Sequence, residues 1–408
     1  MSRSKPSKLK PSKSSLSRRA RARRQRIARR RSFRREGVRT MLASMFEDIH
    51  AARLDSISRY STAIMRGVRA SISAIGAAYA EMEELKPKHG IKQFDRFLSN
   101  KGIDVAELTP GWVRFVLGGR TDVIVALDWT EFDDDDHATI AAYVVTTHGR
   151  ATPLIWRTVK KSELKEQRTG HEHALIERLH QAIPPTVGVT LLADRGFGDQ
   201  VLYTTLATLG WDYVIRFRGI ILVEHDGEQR PASEWLPPTG RARKLEGARV
   251  THDRTEVGAV VVVHDKKMKE PWILATSLGT KTAAAIVKLY GRRFTIEETF
   301  RDQKDIRFGL GLSATHIRSA ARRDRFLFLL AIAQALLTLL GAASERAGLD
   351  AYLRANTVKR RTHSLFRQGT YWYGCIPTMR DAWFDRLMAA YVDILQEHRD
   401  LFEIVGAI

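Results

Sequence analysis

The sequence predicts a mixed α/β fold with helices on the faces of the sheet, on three observations. Three stretches rich in β-branched residues, VIVALDWT, ATIAAYVVTT and ATPLIWRTVK, succeed one another from Thr121 with short connections, as consecutive strands do. The period then alternates: a helix from about Glu166 to Ile183, the strand GVTLLAD, a helix from about Asp199 to Leu209 and the strand DYVIRFR. After a β-rich interruption the strand PWILATSL resumes the sheet, and Thr282 to about Lys304 reads as one long helix.

The rest of the chain divides around this alternation. Residues 1–40 read as a disordered basic tail. Residues 41–118 read as a small helical domain, since MLASMFEDIHAARL and STAIMRGVRASISAIGAAYAEMEEL space their apolar residues three and four apart. The sheet is expected over residues 119–218 and again over 271–345. Residues 219–270 form a β-rich insertion, with IILVEH and AVVVVHD around the loop PASEWLPPTGRARK, and residues 346–408 are helical.

Charge and composition narrow the function classes. Apolar residues make up 44% and charged residues 28% of the 408 positions, which excludes global disorder. The net charge is +21, yet residues 1–40 hold 17 Lys or Arg and one acid, Glu36, leaving about +5 for the remainder. Such a tail suits a polyanion, through phosphate contacts driven by counterion release. The single cysteine, Cys375, excludes an internal disulfide and a cysteine-based zinc cluster, and points to a reducing compartment. No apolar stretch follows the basic N-terminus, so a signal peptide is not expected, although its Arg and Ser richness leaves organelle import as an alternative. FLFLLAIAQALLTLLGAA, from Phe326 to Ala343, is borderline in length for a membrane span and is interrupted by Gln334 and Thr338, which favours a buried core helix.

Two aspartates stand out because they end apolar runs. Asp128 in VIVALDWT and Asp194 in LLAD are placed where a charge needs a partner, and glycines after Asp194, in RGFG, permit a tight turn. At strand ends of one sheet the two can converge, while each alone also fits a turn or capping role. In YGRRFTIEETFRDQK, Tyr290, Arg293, Glu297 and Lys304 follow one another at offsets of three, seven and fourteen. At about 100° per residue these fall within roughly 60° on one helix face. An acid flanked by Arg and Lys suits a site where a metal-bound carboxylate meets an anionic backbone; a solvated face with an Arg293–Glu297 pair fits the same spacing.

LDWT, ADRGF and the Y-x2-R-x3-E-x6-K helix, in this order, resemble the signature of bacterial insertion-sequence transposases of the DDE type, in the IS-four-like cut-and-paste group. RFLSN, ATPLIW, DYVIRFR and SLFRQG also resemble segments of that family, so the likeness runs from about Gly90 to Gly369. The resemblance implies a ribonuclease-H-like catalytic core in which Asp128, Asp194 and Glu297 hold two Mg²⁺ ions, with Mn²⁺ as a substitute. Asp128 would bridge both ions, set about 3.5 to 4 Å apart, which activate the attacking oxygen and stabilise the leaving one. Tyr290, Arg293, Lys304 and Arg301 would then contact DNA phosphates. It further implies a homodimer on double-stranded DNA at transposon ends and target, in the bacterial cytoplasm with the nucleoid and without a membrane. For a tryptophan that holds a flipped base, Trp235, in a loop, is the better candidate than Trp272, in a strand.

Other features carry less. Asp133 to Asp136 with His137 read as a solvated turn rather than a metal loop, and Glu131 as a possible support to the metal shell. His171-Glu172-His173 lacks the spacing that puts two histidines on one helix face and reads as surface. Gly309 and Gly311 follow no strand and make no phosphate loop. Two further readings stay open: a metal-dependent nuclease that hydrolyses without joining, and a transposase-derived DNA-binding protein without catalysis.

Overall fold

The computed structural model of the chain describes residues 36–406 apart from 47, 68 and 308, so most of the expected tail lies outside the described residues. The last part of that tail belongs to the fold: residues 36–45 form helix α1, and Val38 and Leu42 are buried. Four more helices follow, α2 (Ala51–Gly67), α3 (Ile72–Met82), α4 (Pro87–Leu98) and α5 (Val105–Leu117). Polar side chains set several of their starts. The Ser71 hydroxyl caps α3 and the Asp104 carboxylate caps α5, each accepting an otherwise orphaned backbone N–H.

An eight-stranded sheet forms the centre. Its strands are β1 (Asp122–Phe132), β2 (His137–Val145), β3 (Ala151–Lys160), β4 (Gly188–Ala193), β5 (Asp212–Arg216), β8 (Arg243–Glu246), β11 (Ala259–Val263) and β12 (Trp272–Thr276). The order is β3-β2-β1-β4-β5-β12-β11-β8. β1, β4 and β5 run parallel, while β2, β3, β12, β11 and β8 each meet their neighbours antiparallel. Of the stretch read as an insertion, β8 and β11 extend this large sheet. β6 (Leu222–His225), β7 (Glu228–Pro231), β9 (Arg249–Val250) and β10 (Thr255–Glu256) make a second, four-stranded sheet. The register explains the split: the all-buried AVVVV of β11 pairs with β12, whereas the short polar strands pair among themselves.

Helices cover both faces. α6 (Arg168–Ala182) packs on β2 and β3, and α7 (Gln200–Thr208) leads into β5. The expected single helix from Thr282 to Lys304 is two, α8 (Ala283–Gly291) and α9 (Phe294–Lys304). Between them the backbone tightens to i→i−3 bonds, Arg292 N–H to Leu289 O at 3.0 Å and Arg293 N–H to Tyr290 O at 2.9 Å. α10 (Ala320–Arg346) then runs through the core, followed by α11 (Leu365–Cys375) and α12 (Asp381–Gly406).

α10 is the one helix among the described residues long and apolar enough to cross a membrane, and 78% of its apolar window is buried inside the protein. It packs on α2, α11, α12 and β3, and the Phe328 ring lies 5.7 Å from Phe46, 6.3 Å from Trp112 and 6.4 Å from Trp156. α11 crosses it at van der Waals range because Gly341 and Gly369 face each other's helix. A Cβ on Gly369 would lie 1.7 Å from the Leu337 carbonyl oxygen.

The edge strand β3 is blunted by side chains rather than left open. Thr299 of α9 accepts from Ala151 N–H at 2.9 Å, and Asp324 of α10 accepts from Thr158 N–H at 3.0 Å. Burial pushes the Asp324 carboxyl up to about 7, against the pull of its Thr158 hydrogen bonds and of Arg178 and Arg157. A raised folded-state pKa stabilises only while the group is neutral, so this contribution is complete below about pH 4 and is lost as the pH rises through about 7. Asp324→Asn keeps the acceptor and removes the charge. Chemical denaturation should find it equal to the parent at pH 4 and about 1–2 kcal/mol more stable at pH 8, less than the full shift implies because the side chain keeps some contact with water. A difference independent of pH would contradict this account.

Candidate active site

Strand register brings the two aspartates together. β1 and β4 pair in parallel up to Leu127 opposite Ala193, so the next residue of each chain segment is Asp128 and Asp194. Asp194 follows β4, as expected of a strand end, but Asp128 lies inside β1, which continues to Phe132. Side chains alternate along β1, so Asp128 faces α9 with Ala126 and Thr130, while Trp129 turns to α6 and donates its indole N–H to Glu172 at 2.7 Å. Glu172 is therefore not at the surface as expected; it is 2% exposed, and burial raises its pKa.

α8 and α9 supply the other half of the site. The Arg293 guanidinium, 4% exposed, donates from Nη1 to Asp128 Oδ2 at 3.0 Å and from Nη2 to Glu297 Oε1 at 2.6 Å. The Tyr290 hydroxyl, on a buried ring, donates to Asp194 Oδ1 at 3.3 Å. Asp128, Asp194, Glu297, Tyr290 and Arg293 thus gather at one place. Lys304 is on the same stripe but is tied to the end of β1, donating to the Glu131 carbonyl at 2.5 Å and Thr130 Oγ1 at 3.2 Å. Arg301 is exposed and ion-paired with Glu298, whose second partner is Arg150. Glu131 pairs with Lys161 at 2.6 Å and Arg168 at 3.4 Å.

The electrostatics follow from this crowding. Burial pushes Asp128 up to about 6; Arg293 and the Trp129 N–H, 2.8 Å from Oδ1, pull it down, and the charges of Glu297 and Asp194 push it up again. Burial alone would weaken the charge of Arg293, but Tyr290, Asp128, Asp194 and Glu297 outweigh it and hold the guanidinium protonated. Burial also raises Tyr290 and lowers Lys304. Among the described residues no three His, Cys, Asp or Glu side chains stand at metal-ligand spacing. The Arg293 guanidinium lies between Asp128 and Glu297 and keeps them apart.

Three residues of this region carry no signal in the sequence. Arg216 ends β5 and lies 3.8 Å from Asp194 Oδ1. Its place is set by the β4–β5 register, in which Ala193 opposes Ile215. Glu270, on the β11–β12 connection, accepts from Arg216 at 2.7 Å and from Arg195 at 3.1 Å. Phe294, 40% exposed, and Trp272 form an aromatic wall beside Tyr290, with Trp272 5.0 Å from the Tyr290 ring and 5.8 Å from the Phe294 ring. Trp235 is elsewhere. It is 3% exposed, with the Arg230 guanidinium 3.9 Å over its ring and His225 at 5.6 Å, so it has no open face for a base.

The acidic run is a turn in which Asp133, Asp134 and Asp136 are exposed, as expected, while Asp135 makes it a junction as well. Asp133 pairs with Lys161 at 2.6 Å, and Asp136 accepts from Ser162 N–H at 2.9 Å. Asp135, 9% exposed, accepts from Ile317 N–H at 2.9 Å and pairs with His316 and with Arg323. Arg323 is 0% exposed, donates to His137 Nδ1 at 3.0 Å and lies 3.9 Å over the Phe132 ring.

Part of the chain that builds this site is similar to a known protein family. No curated protein matches the chain. Residues 159–336 match the family described as transposase DDE domain, a stretch that holds Asp194, Tyr290, Arg293, Glu297 and Lys304 and begins after Asp128. That match supports a DDE-type transposase.

Proposed function

We propose that the protein is a DNA transposase of the IS-four-like group that cleaves at transposon ends and transfers the strand into target DNA, with Asp128, Asp194 and Glu297 as its acidic triad. One observation carries the reading: register places Asp128 beside Asp194, and α9 brings Glu297 to the same spot. The order β3-β2-β1-β4-β5, three antiparallel strands followed by two parallel ones, supports a ribonuclease-H-like core.

The donor set fits hard divalent cations. Three carboxylates offer only oxygen, as Mg²⁺ or Mn²⁺ requires, and two of them already close on one cation, the Arg293 guanidinium. Bound there, a pair of divalent ions would activate the attacking oxygen and neutralise the leaving one. The chain's own groups do the positioning. Arg293 and Arg216 present buried or half-buried guanidiniums, which bind phosphate oxygens in a fixed fork. Tyr290 orients Asp194 through its hydroxyl, and Lys304 adds a cation where β1 ends. Trp272 and Phe294 offer the flat apolar surface on which a base displaced from the duplex would stack. No side-chain nucleophile is needed, because water and then the freed 3′-hydroxyl attack the phosphorus.

The test supplies paired ends, target duplex and Mg²⁺. Joined products, dependent on two ends and on protein that dimerises, are expected. Hydrolysed ends without joining would leave a metal-dependent nuclease, and inert DNA under all conditions would leave a non-catalytic DNA-binding protein.

A further inference from the structure

Next to Asp194, one carboxylate oxygen does what a phosphate oxygen does. Glu270 Oε2 accepts from Arg216 Nη2 at 2.7 Å and from Arg195 Nη1 at 3.1 Å, so two guanidiniums share a single anionic atom. Arg216 also reaches within 3.8 Å of Asp194 Oδ1, so this shared oxygen sits at the edge of the proposed catalytic cluster. The two arginines hold the Glu270 carboxyl below the usual carboxylate range, Arg216 most strongly.

The contact is built to be exchanged. Glu270 is 54% and Arg195 52% exposed, and ion pairs that water reaches are weak. Arg216, by contrast, is 15% exposed and donates a second hydrogen bond to the Pro271 carbonyl at 3.1 Å. It keeps its place when Glu270 swings away. The connection that carries Glu270 also exposes Lys266, Lys267 and Lys269, which attract an approaching polyanion to this loop.

We propose that Glu270 holds the place of a DNA backbone phosphate: duplex entering beside Asp194 displaces its carboxylate and takes over the Arg195 and Arg216 guanidiniums. The inference rests on the transposase reading for the identity of the polyanion. Glu270 is then a residue that sets how readily DNA is admitted, because weakly seated DNA does not displace the internal anion.

Removing the charge should relieve the competition. Glu270→Gln is expected to bind duplex DNA about two- to fivefold more tightly than the parent protein without divalent metal, the size expected when a water-accessible ion pair no longer has to be broken. With Mg²⁺ present it should lower KM and leave kcat within about twofold. Glu163→Gln removes another exposed acid, paired with Lys160 at 2.9 Å, and should not change affinity. In an Arg195→Gln, Arg216→Gln background, Glu270→Gln should lose its effect. Equal affinity of parent and Glu270→Gln, the same gain in the double-arginine background, or no duplex binding by either protein would overturn the proposal. Cleavage measured in parallel separates the two claims: a parent protein that never cleaves sinks the catalytic reading, whereas equal affinities with cleavage intact sink only the role of Glu270.

Discussion

Asp128→Asn, Asp194→Asn and Glu297→Gln should each reduce strand cleavage by about a thousandfold or more while leaving the fold and duplex binding intact. Each substitution removes a metal-binding charge and keeps the shape of the side chain. Folding should survive because burial already works against the Asp128 charge, and because Arg293 bonds both Asp128 and Glu297, so either single change leaves it one carboxylate. Glu298→Gln is the internal comparison. Glu298 is one residue further along α9 and pairs with Arg301 and Arg150 away from the cluster, so cleavage should change less than about threefold. Cleavage assays on the four variants, with circular dichroism as the folding check, decide this. Near-normal cleavage by any of the first three would remove that residue from the triad.

Asp135→Ala should destabilise the protein by about 3–5 kcal/mol, the cost of leaving a buried charge without its partner. Arg323 has no solvent exposure and loses its hydrogen bond to the Asp135 carboxylate, retaining His137 and the Phe132 ring face. The same change frees Ile317 N–H and cuts the tie between the end of β1 and the segment before α10. Exchanging both partners for apolar residues, Asp135→Leu with Arg323→Met, should recover a large part of the loss. Denaturation midpoints for the two single variants and the double variant measure the coupling. Additive effects would show that the pair does not act as a unit.

The contrast between these two sites shows what the sequence can and cannot carry. Asp128 and Asp194 are legible because each interrupts an apolar run, a local signal that neighbouring strands turn into a contact. The stripe Tyr290, Arg293, Glu297 is legible even though the helix breaks within it. Arg292 and Arg293 keep helical angles, φ −70° and ψ −17° for the first and φ −54° and ψ −37° for the second, so the period survives the tightened turn. Arg216 is not legible, since an arginine ending DYVIR has no local distinction and acquires its role from the parallel register of β4 and β5.

Misreadings have the same origin. Among the four successive acids Asp133, Asp134 and Asp136 are exposed as the composition implies, and Asp135 alone departs, because the partner that buries it lies 188 residues further along the chain. Trp235 in a loop reads as the better candidate for holding a base and Trp272 in a strand as the lesser one. The packing reverses that order, because the insertion closes over Trp235 while β12 carries Trp272 to the rim where α8 meets α9. The two-sheet division of residues 219–270 is likewise a matter of which strand finds β12, which the composition of the stretch does not encode.

The central claim is that the three carboxylates form one divalent-cation site. It is tested most directly by loading the protein with Fe²⁺ in place of Mg²⁺ and mapping where peroxide then cuts the polypeptide. The account predicts cuts confined to the neighbourhoods of Asp128, Asp194 and Glu297, suppressed by excess Mg²⁺ and lost together in Asp128→Asn. Cuts at other positions, or an unchanged pattern in Asp128→Asn, would contradict it.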